Sequence, residues 1–346
     1  MNFRSITVAA ALAVAVLAQD SADFRSNVIN VQVPVTVLDK KGRVVDGLTA
    51  KDFVLLDSGI AQRFDLDLAT RPISVVIALD ASASIRAIIP TVQKASSLLA
   101  PLVAGANGEI SVLAYDHRLQ LLTPFTSNAD EVQKAFGQWK AGSSPHHLDD
   151  AAMEAIRMLS ARGPNRKKIL LLIGEGFDNG SAVSTSDVLA QAEWDGVLVY
   201  ALGMPGTTTS KATNPVPPEA RGPAPMGIIR TGTTDAQAGG YAPDVRDVYE
   251  VMKGVFTSDA ASAYAKVTGG RQQTFSNVKN LEEAIQKIGQ EIHGQYLLTF
   301  APQDRQGGYH DLTVQVTASS HLEVRARHGY WIGQSPNNQA VAPQLR

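Results

Sequence analysis

Ile73-Ser-Val-Val-Ile-Ala-Leu-Asp80-Ala-Ser82-Ala-Ser84 runs from a dense apolar segment straight into one carboxylate and two hydroxyls at alternate positions. Val75, Val76 and Ile77 in succession suit a central parallel strand covered on both faces. The carboxyl end of such a strand is where open α/β sheets bind ligands. Asp80 with the hydroxyls of Ser82 and Ser84 makes a partial oxygen shell for a hard cation such as Mg²⁺, the rest coming from water, other loops or a partner. The competing reading is that these three residues cap the next helix, since Asp and Ser accept hydrogen bonds from free N–H groups at a helix start. Their position, after the first strong core strand and ahead of an amphipathic stretch, favours the cation.

Outward from this strand the pattern alternates. Ile88, Val92, Ala95, Leu99 and Leu102 recur at helical spacing, strands follow at 110–115, 168–173 and 197–202, and helices at about 129–139, 148–162 and 184–195. A helix over 258–267 stopped by Gly269-Gly270, a strand near 272–275 and a helix capped by Asn280, with Glu283 three residues on, complete the set. This order predicts an α/β fold, a doubly wound, mostly parallel sheet flanked by helices, over residues 72–293. Its interruption between Met204 and Tyr249 is rich in Pro and Gly and reads as a disordered insert.

The flanks read as β structure. Val31, Val33, Val35 and Val37 alternate, Asp39-Lys-Lys-Gly42 makes a turn, Thr49 with Asp52 caps a helical turn, and Phe53-Val-Leu-Leu56 is a second strand. Strands at 296–300, 312–316 and 322–326 close the chain, and a three-stranded sheet needs a cover. Segments 24–68 and 294–332 are therefore predicted to pack together as one small β domain with the α/β unit inserted between them, leaving 333–346 disordered.

The chain has 346 residues, 44% of them hydrophobic, which allows one large or two modest domains. A net charge of −2 gives no electrostatic reason to expect nucleic acid or an anionic membrane as partner. The absence of cysteine excludes disulfides, thiolate metal sites and a cysteine nucleophile. Met1-Asn-Phe-Arg4 and the small apolar run to Ala18 read as a signal peptide over 1–18, shorter than the roughly 20 residues a spanning helix needs. A secreted or periplasmic location follows, with no membrane span after cleavage, and the lack of cysteine suits a bacterial exterior.

Asp80-Ala-Ser82-Ala-Ser84 at the end of a core strand resembles the metal-ion-dependent adhesion site of the von Willebrand factor A family, over about residues 72–203. Val33-Pro-Val-Thr-Val-Leu-Asp-Lys-Lys-Gly, Gly47-Leu-Thr-Ala-Lys-Asp-Phe and Arg325-Ala-Arg-His-Gly-Tyr resemble the secreted bacterial subgroup of VWFA-related domain proteins, often found in acidobacteria. The resemblance implies a threonine from a second loop, where this chain has Gly142-Ser-Ser-Pro-His-His-Leu-Asp-Asp150. Matching by the glycine puts Ser143 or Ser144 in that place, and counting back from the helix start puts His146 there. It also implies an aspartate in a third loop, where Gly174-Glu175-Gly-Phe-Asp178-Asn-Gly180 stands, so Glu175 keeps the carboxylate one methylene longer. Asp178 reads as a turn residue before Asn179-Gly180.

His146, His147, Asp149 and Asp150 together have the composition of a transition-metal site. Adjacent side chains in an extended loop point apart, however, and acids at a helix start interact favourably with its dipole. Glu193, Trp194 and Asp195, with Tyr330-Trp331, read as packing at element ends, and Arg166-Lys167-Lys168 as a solvated lead-in to a strand.

The resulting expectation is a non-enzymatic binding module in which Asp80, Ser82, Ser84, Glu175 and Ser144 hold Mg²⁺, Mn²⁺ or Ca²⁺ and the ion captures an exposed carboxylate of a partner protein. The alternative is a degenerate, metal-free scaffold for protein binding. A metal-assisted hydrolase using His146 or His147 with Glu175 ranks last, because no Gly-x-Ser-x-Gly, His-Glu-x-x-His or phosphate-binding Gly-Lys-Ser/Thr loop is present.

Overall fold

The structure, a computed structural model, describes residues 29–68, 71–204 and 259–333. Residues 1–18, expected to be a leader, residues 205–249 of the Pro/Gly-rich stretch and residues 334–346 lie outside them. In chain order the first elements are β1 (Val31–Leu38), β2 (Phe53–Asp57), β3 (Ile60–Ala61), β4 (Asp65–Leu68), β5 (Ile73–Asp80) and α1 (Ile89–Ala95). β6 (Glu109–Tyr115), β7 (Leu119–Thr126), α2 (Ala129–Gln138), α3 (Leu148–Ser160), β8 (Lys167–Ile173), α4 (Thr185–Asp195) and β9 (Val197–Gly203) follow. The last are α5 (Ala260–Thr268), β10 (Gln272–Thr274), α6 (Val278–His293), β11 (Tyr296–Phe300), β12 (Gly308–Val316), β13 (Glu323–Ala326) and β14 (Gly329–Ile332).

Every residue of β5 is buried. It lies at the centre of a six-stranded sheet of order β10-β9-β8-β5-β6-β7, parallel to β6 and β8, with β7 antiparallel at one edge. Because side chains alternate along a strand, Val75, Ile77 and Leu79 enter one core with α1, α2 and α6, while Val76 and Ala78 enter the other with α3, α4 and α5. Leu281, Ile285, Ile288 and Ile292 of α6 show the matching helical period on the first face. The doubly wound α/β architecture is therefore present, with helices on both faces.

The β segments form two four-stranded antiparallel sheets, β13-β1-β11-β4 and β14-β12-β2-β3. Val33, Val35 and Val37 of β1, Phe53 and Leu55 of β2, Leu298 and Phe300 of β11 and Tyr330 of β14 share one core between them. Asp39 accepts from the Gly42 N–H at 2.8 Å in the β1 turn, and the Thr49 N–H donates to Asp52 Oδ2 at 2.7 Å.

Several details differ from the sequence pattern. The C-terminal strands do not make one sheet, because β11 and β13 both pair with β1 whereas β12 pairs with β2. The apolar period from Ile88 to Leu102 is not one helix: α1 ends at Ala95, and a 3-10 turn and a wide turn at Ala100–Ala104 follow. Pro101, which has no N–H to give the preceding turn, sits at that change of winding. The cap of α6 is Asn277, whose side chain accepts from the Asn280 N–H at 3.0 Å, so Asn280 lies inside the first turn. Tyr330 and Trp331 belong to a strand, β14. Nor is Arg166-Lys167-Lys168 a solvated lead-in, since Lys167 is 7% exposed and donates to the Ile292 carbonyl at the end of α6. Burial pushes its ammonium down to about 8.

Candidate metal centre

The parallel strands end together at one edge of the sheet, and β5 delivers Asp80 there with 0% exposure. The loop that follows folds back on it, the Ser82 N–H donating to Asp80 Oδ1 at 2.8 Å. The hydroxyls of Ser82 and Ser84 meet at 2.9 Å. Neither caps a helix: the next 3-10 turn has Ala83 and α1 has Ile88 at the cap position, without a side-chain bond. The capping alternative therefore fails for both serines. Ser82 is buried and Ser84 exposed, so the pair leads from the interior to the rim.

The second loop is fixed from below and from the side. Trp139, at the end of α2, donates its indole N–H to the Asp80 carbonyl at 3.0 Å, and the Gly142 N–H donates to the Ala81 carbonyl at 2.6 Å. A Cβ on Gly142 would lie 2.3 Å from Asp116 Oδ2, so only glycine allows this approach. Ser143 is turned to Asp116, donating to Oδ2 through both N–H and hydroxyl at 3.1 Å, and also meets the His117 ring. Ser144 is exposed, and among the described residues no hydrogen bond holds its side chain. The residue this loop brings to Asp80 is His146, 5% exposed, with Nδ1 3.2 Å from Asp80 Oδ2. Its Nε2 stands 3.3 Å from Glu175 Oε2, and its ring packs on Phe177 at 4.7 Å between centroids. Counting back from the helix start thus finds the residue that matching by glycine misses, because α3 begins at Leu148 and anchors the count.

The third loop leaves β8 through Gly174, where a Cβ would lie 2.3 Å from the Asp80 Cβ. The Glu175 N–H donates to Asp80 Oδ2 at 3.2 Å. Asp80, His146 and Glu175 each offer one donor atom, all within 4.8 Å of one another. Asp178 is not part of this group. Its oxygens accept from the N–H groups of Asp149, Gly180 and Ser181, a turn and a helix cap combined.

The histidines and acids at the start of α3 do not converge on one point. His147 pairs with Asp150 at 3.4 Å, Asp150 accepts from the Val183 N–H at 3.0 Å, and Asp149 turns inward to Thr185 Oγ1 at 2.7 Å and the Tyr264 hydroxyl. Burial, with the charges of Asp178 and Asp150, pushes Asp149 up to about 6 against the hydrogen bonds from Tyr264 and Thr185.

Burial opposes a charge on His146, but the Asp80 hydrogen bond and the charges of Asp80, Glu175 and Asp178 outweigh it and raise the pKa. The centre is therefore built to hold positive charge between two carboxylates. Whether a metal suits it follows from the donors. An octahedral all-oxygen shell of the Mg²⁺ type lacks its second-loop hydroxyl, since Ser143 is spent on Asp116 and Ser144 faces solvent. One imidazole with two carboxylates fits a divalent transition ion such as Mn²⁺ or Zn²⁺.

Residues 75–177 match the family model described as von Willebrand factor type A domain. The match reaches the family and not a bacterial subgroup. No curated protein matches the chain in sequence. Among solved structures, an aerotolerance-related membrane protein from Bacteroides fragilis is 16% identical with a TM-score of 0.40, over 64% of this chain and 98% of that one. Conserved hypothetical protein BatB from Bacteroides thetaiotaomicron is 19% identical with a TM-score of 0.41, over 64% and 97%. The vWF domain of the type V pili tip protein Mfa5 from Porphyromonas gingivalis is 21% identical with a TM-score of 0.29, over 34% and 44%. Values this low carry no function across.

Proposed function

We propose that the von Willebrand factor type A domain matched over residues 75–177 serves as a protein-interaction module and binds an acidic residue of a partner protein through a divalent ion at the carboxyl edge of the sheet. The convergence of Asp80, His146 and Glu175 within 4.8 Å is the observation that carries the reading. Asp80, His146 and Glu175 would hold the ion, with Ser82 and Ser84 beside them. When bound, it supplies an electrophilic centre for an incoming carboxylate. The chain's own part is to keep Asp80 fixed through the Ser82 and Glu175 N–H groups, and to leave Ser84 open at the rim. Because one donor is nitrogen, the site is expected to prefer Mn²⁺ to Mg²⁺. Binding without catalysis and export through the leader of residues 1–18 belong to the same reading. Among the described residues no helix is long and apolar enough to cross a membrane.

A second reading has its own observation: each ring nitrogen of His146 already faces a carboxylate oxygen, at 3.2 and 3.3 Å. In that case the imidazolium replaces the ion and partner binding is metal-free. Titration calorimetry with Mn²⁺ and then Mg²⁺ on the chain lacking residues 1–18 decides between them. Saturable Mn²⁺ binding, weaker for Mg²⁺, lost in Asp80→Ala and weakened in His146→Ala is the expected result. Absence of binding by either ion at about ten millimolar removes the metal reading and leaves the imidazolium bridge.

A further inference from the structure

At the opposite end of the sheet, below the amino ends of β5, β8 and β9, a cavity of about 410 Å³ opens between the α/β unit and the start of β1 with β14. Its volume and its place between two packed units are those of small-molecule sites, which run to roughly 300–1,000 Å³. The lining is unbalanced in charge. Arg71, Arg166, Lys167, Lys168 and Arg327 line it, against Asp195 as its carboxylate. Asp195 is already engaged, accepting from Ser160 Oγ at 2.7 Å and Gln191 Nε2 at 2.6 Å. Arg166 is paired with Glu109 at 3.2 Å. Lys167 is spent on the Ile292 carbonyl, and the remaining three cations are held by neutral oxygens: Arg71 Nη1 by Gln32 Oε1 at 2.7 Å, Lys168 Nζ by the Asp195 carbonyl at 3.2 Å, and Arg327 Nε by the Gly329 carbonyl at 2.7 Å. None of the three lies within 4.0 Å of a carboxylate oxygen among the described residues, although Asp195 acts on Lys168 and Glu193 on Arg327 from further away.

Trp331, 8% exposed, also lines the cavity, its indole N–H enclosed and without a hydrogen-bond partner among the described residues. Lys168 and Arg327 feel only the carboxylates of Asp195 and Glu193, which are already engaged with other donors, so the cationic lining keeps N–H groups to spare for an acceptor of negative charge. Guanidinium groups in particular match the paired oxygens of carboxylate and phosphate.

From this arrangement we infer that the seam between the two units is a binding site for a small oxyanion, a molecule presenting carboxylate or phosphate groups to Arg71, Lys168 and Arg327. The site is separate from the Asp80 centre and does not depend on it. Calorimetric titration of the purified chain with inorganic phosphate and, separately, with citrate tests the inference and distinguishes the two sources of the oxyanion. One-site saturable binding of either probe is expected, weakened about tenfold or more in Arg71→Gln and in Lys168→Gln and unchanged in Asp80→Ala. Lys168→Gln leaves the Arg71–Gln32 bond in place, so it stays informative if Arg71→Gln unfolds the chain. Arg71→Lys, which keeps the charge, should retain part of the affinity. No saturable binding of either probe at about ten millimolar, or binding that survives Arg71→Gln with Lys168→Gln combined, overturns the site.

Discussion

Glu193 on α4 is 2% exposed and accepts from the Tyr309 hydroxyl at 3.1 Å. Burial pushes its carboxyl up to about 7, against the pull of Arg327 and the Tyr309 hydrogen bond. The folded state therefore binds a proton that the unfolded state, near its ordinary value of 4.5, has released. That contribution is fully present below about pH 4.5 and is lost as pH rises through about 7, a loss of roughly 3 kcal/mol for a shift of this size. Glu193→Gln keeps an acceptor for Tyr309 and removes the titration. Urea unfolding at pH 5 and pH 8 should show the variant gaining on the parent by about 2 kcal/mol at the higher pH, and an unchanged difference would refute the assignment. At the ion centre the same scale points to Gly174, whose added Cβ would press on the Asp80 Cβ at 2.3 Å. Gly174→Ala should abolish saturable Mn²⁺ binding in calorimetry while circular dichroism keeps the folded spectrum. Asp80, Ser82, Ser84 and Glu175 were legible as site candidates because they lie beside strand ends that the apolar pattern marks. Counting back from the start of α3 named His146 and matching by the glycine named Ser143 or Ser144, but the choice between the two counts was not legible, since it turns on how the loop between Gly142 and Leu148 folds against Asp80 and Asp116.

The elements follow the same rule. β5 could be read directly because burial on both faces demands an unbroken apolar run, and α3 and α6 because each has one apolar face of strong helical period. β7 was missed for the converse reason: Leu119 and Leu121 are exposed at 43% and 52%, Pro124 interrupts it, and no alternation survives at this edge. The partners of β11, β12 and β13 were equally hidden, because alternation reports a wet face and a dry face but not which strand lies alongside. Glycines give the element scale a test with two opposite signs. α5 ends at Gly269, left-handed at φ +85°, and the chain then passes so close to β9 that a Cβ on Gly270 would lie 2.0 Å from the Val199 carbonyl oxygen. That oxygen is backbone within the sheet, so Gly270→Ala should cost about 2 kcal/mol or more in urea unfolding. Gly137, exposed near the end of α2, would place its Cβ in open space. Gly137→Ala should gain about 0.5 kcal/mol, as expected for an exposed helical glycine.

At the scale of the molecule, the α/β unit and the β sheets share a buried charged junction. Glu291, 1% exposed on α6, lies 2.9 Å from Arg271, just before β10, and 2.6 Å from Arg325 on β13. These contacts are close in distance without the alignment of hydrogen bonds, while Arg325 also donates to the Gly270 carbonyl at 2.9 Å. One carboxylate thus connects the last helix and the edge strand of one unit to a strand of the other. A charge so buried is costly to leave half-paired and far less costly to remove together with its partner. Arg325→Met should therefore destabilise the chain by about 3 kcal/mol, while Glu291→Leu combined with Arg325→Met should cost less than either change alone. If the junction couples the units, urea unfolding of all three variants stays a single transition with the parent's slope, and the loss appears only in the midpoint. A second transition in the Arg325→Met variant, with the α/β unit melting at the parent's midpoint, would show instead that the β sheets unfold alone and that the pair holds only its own strand.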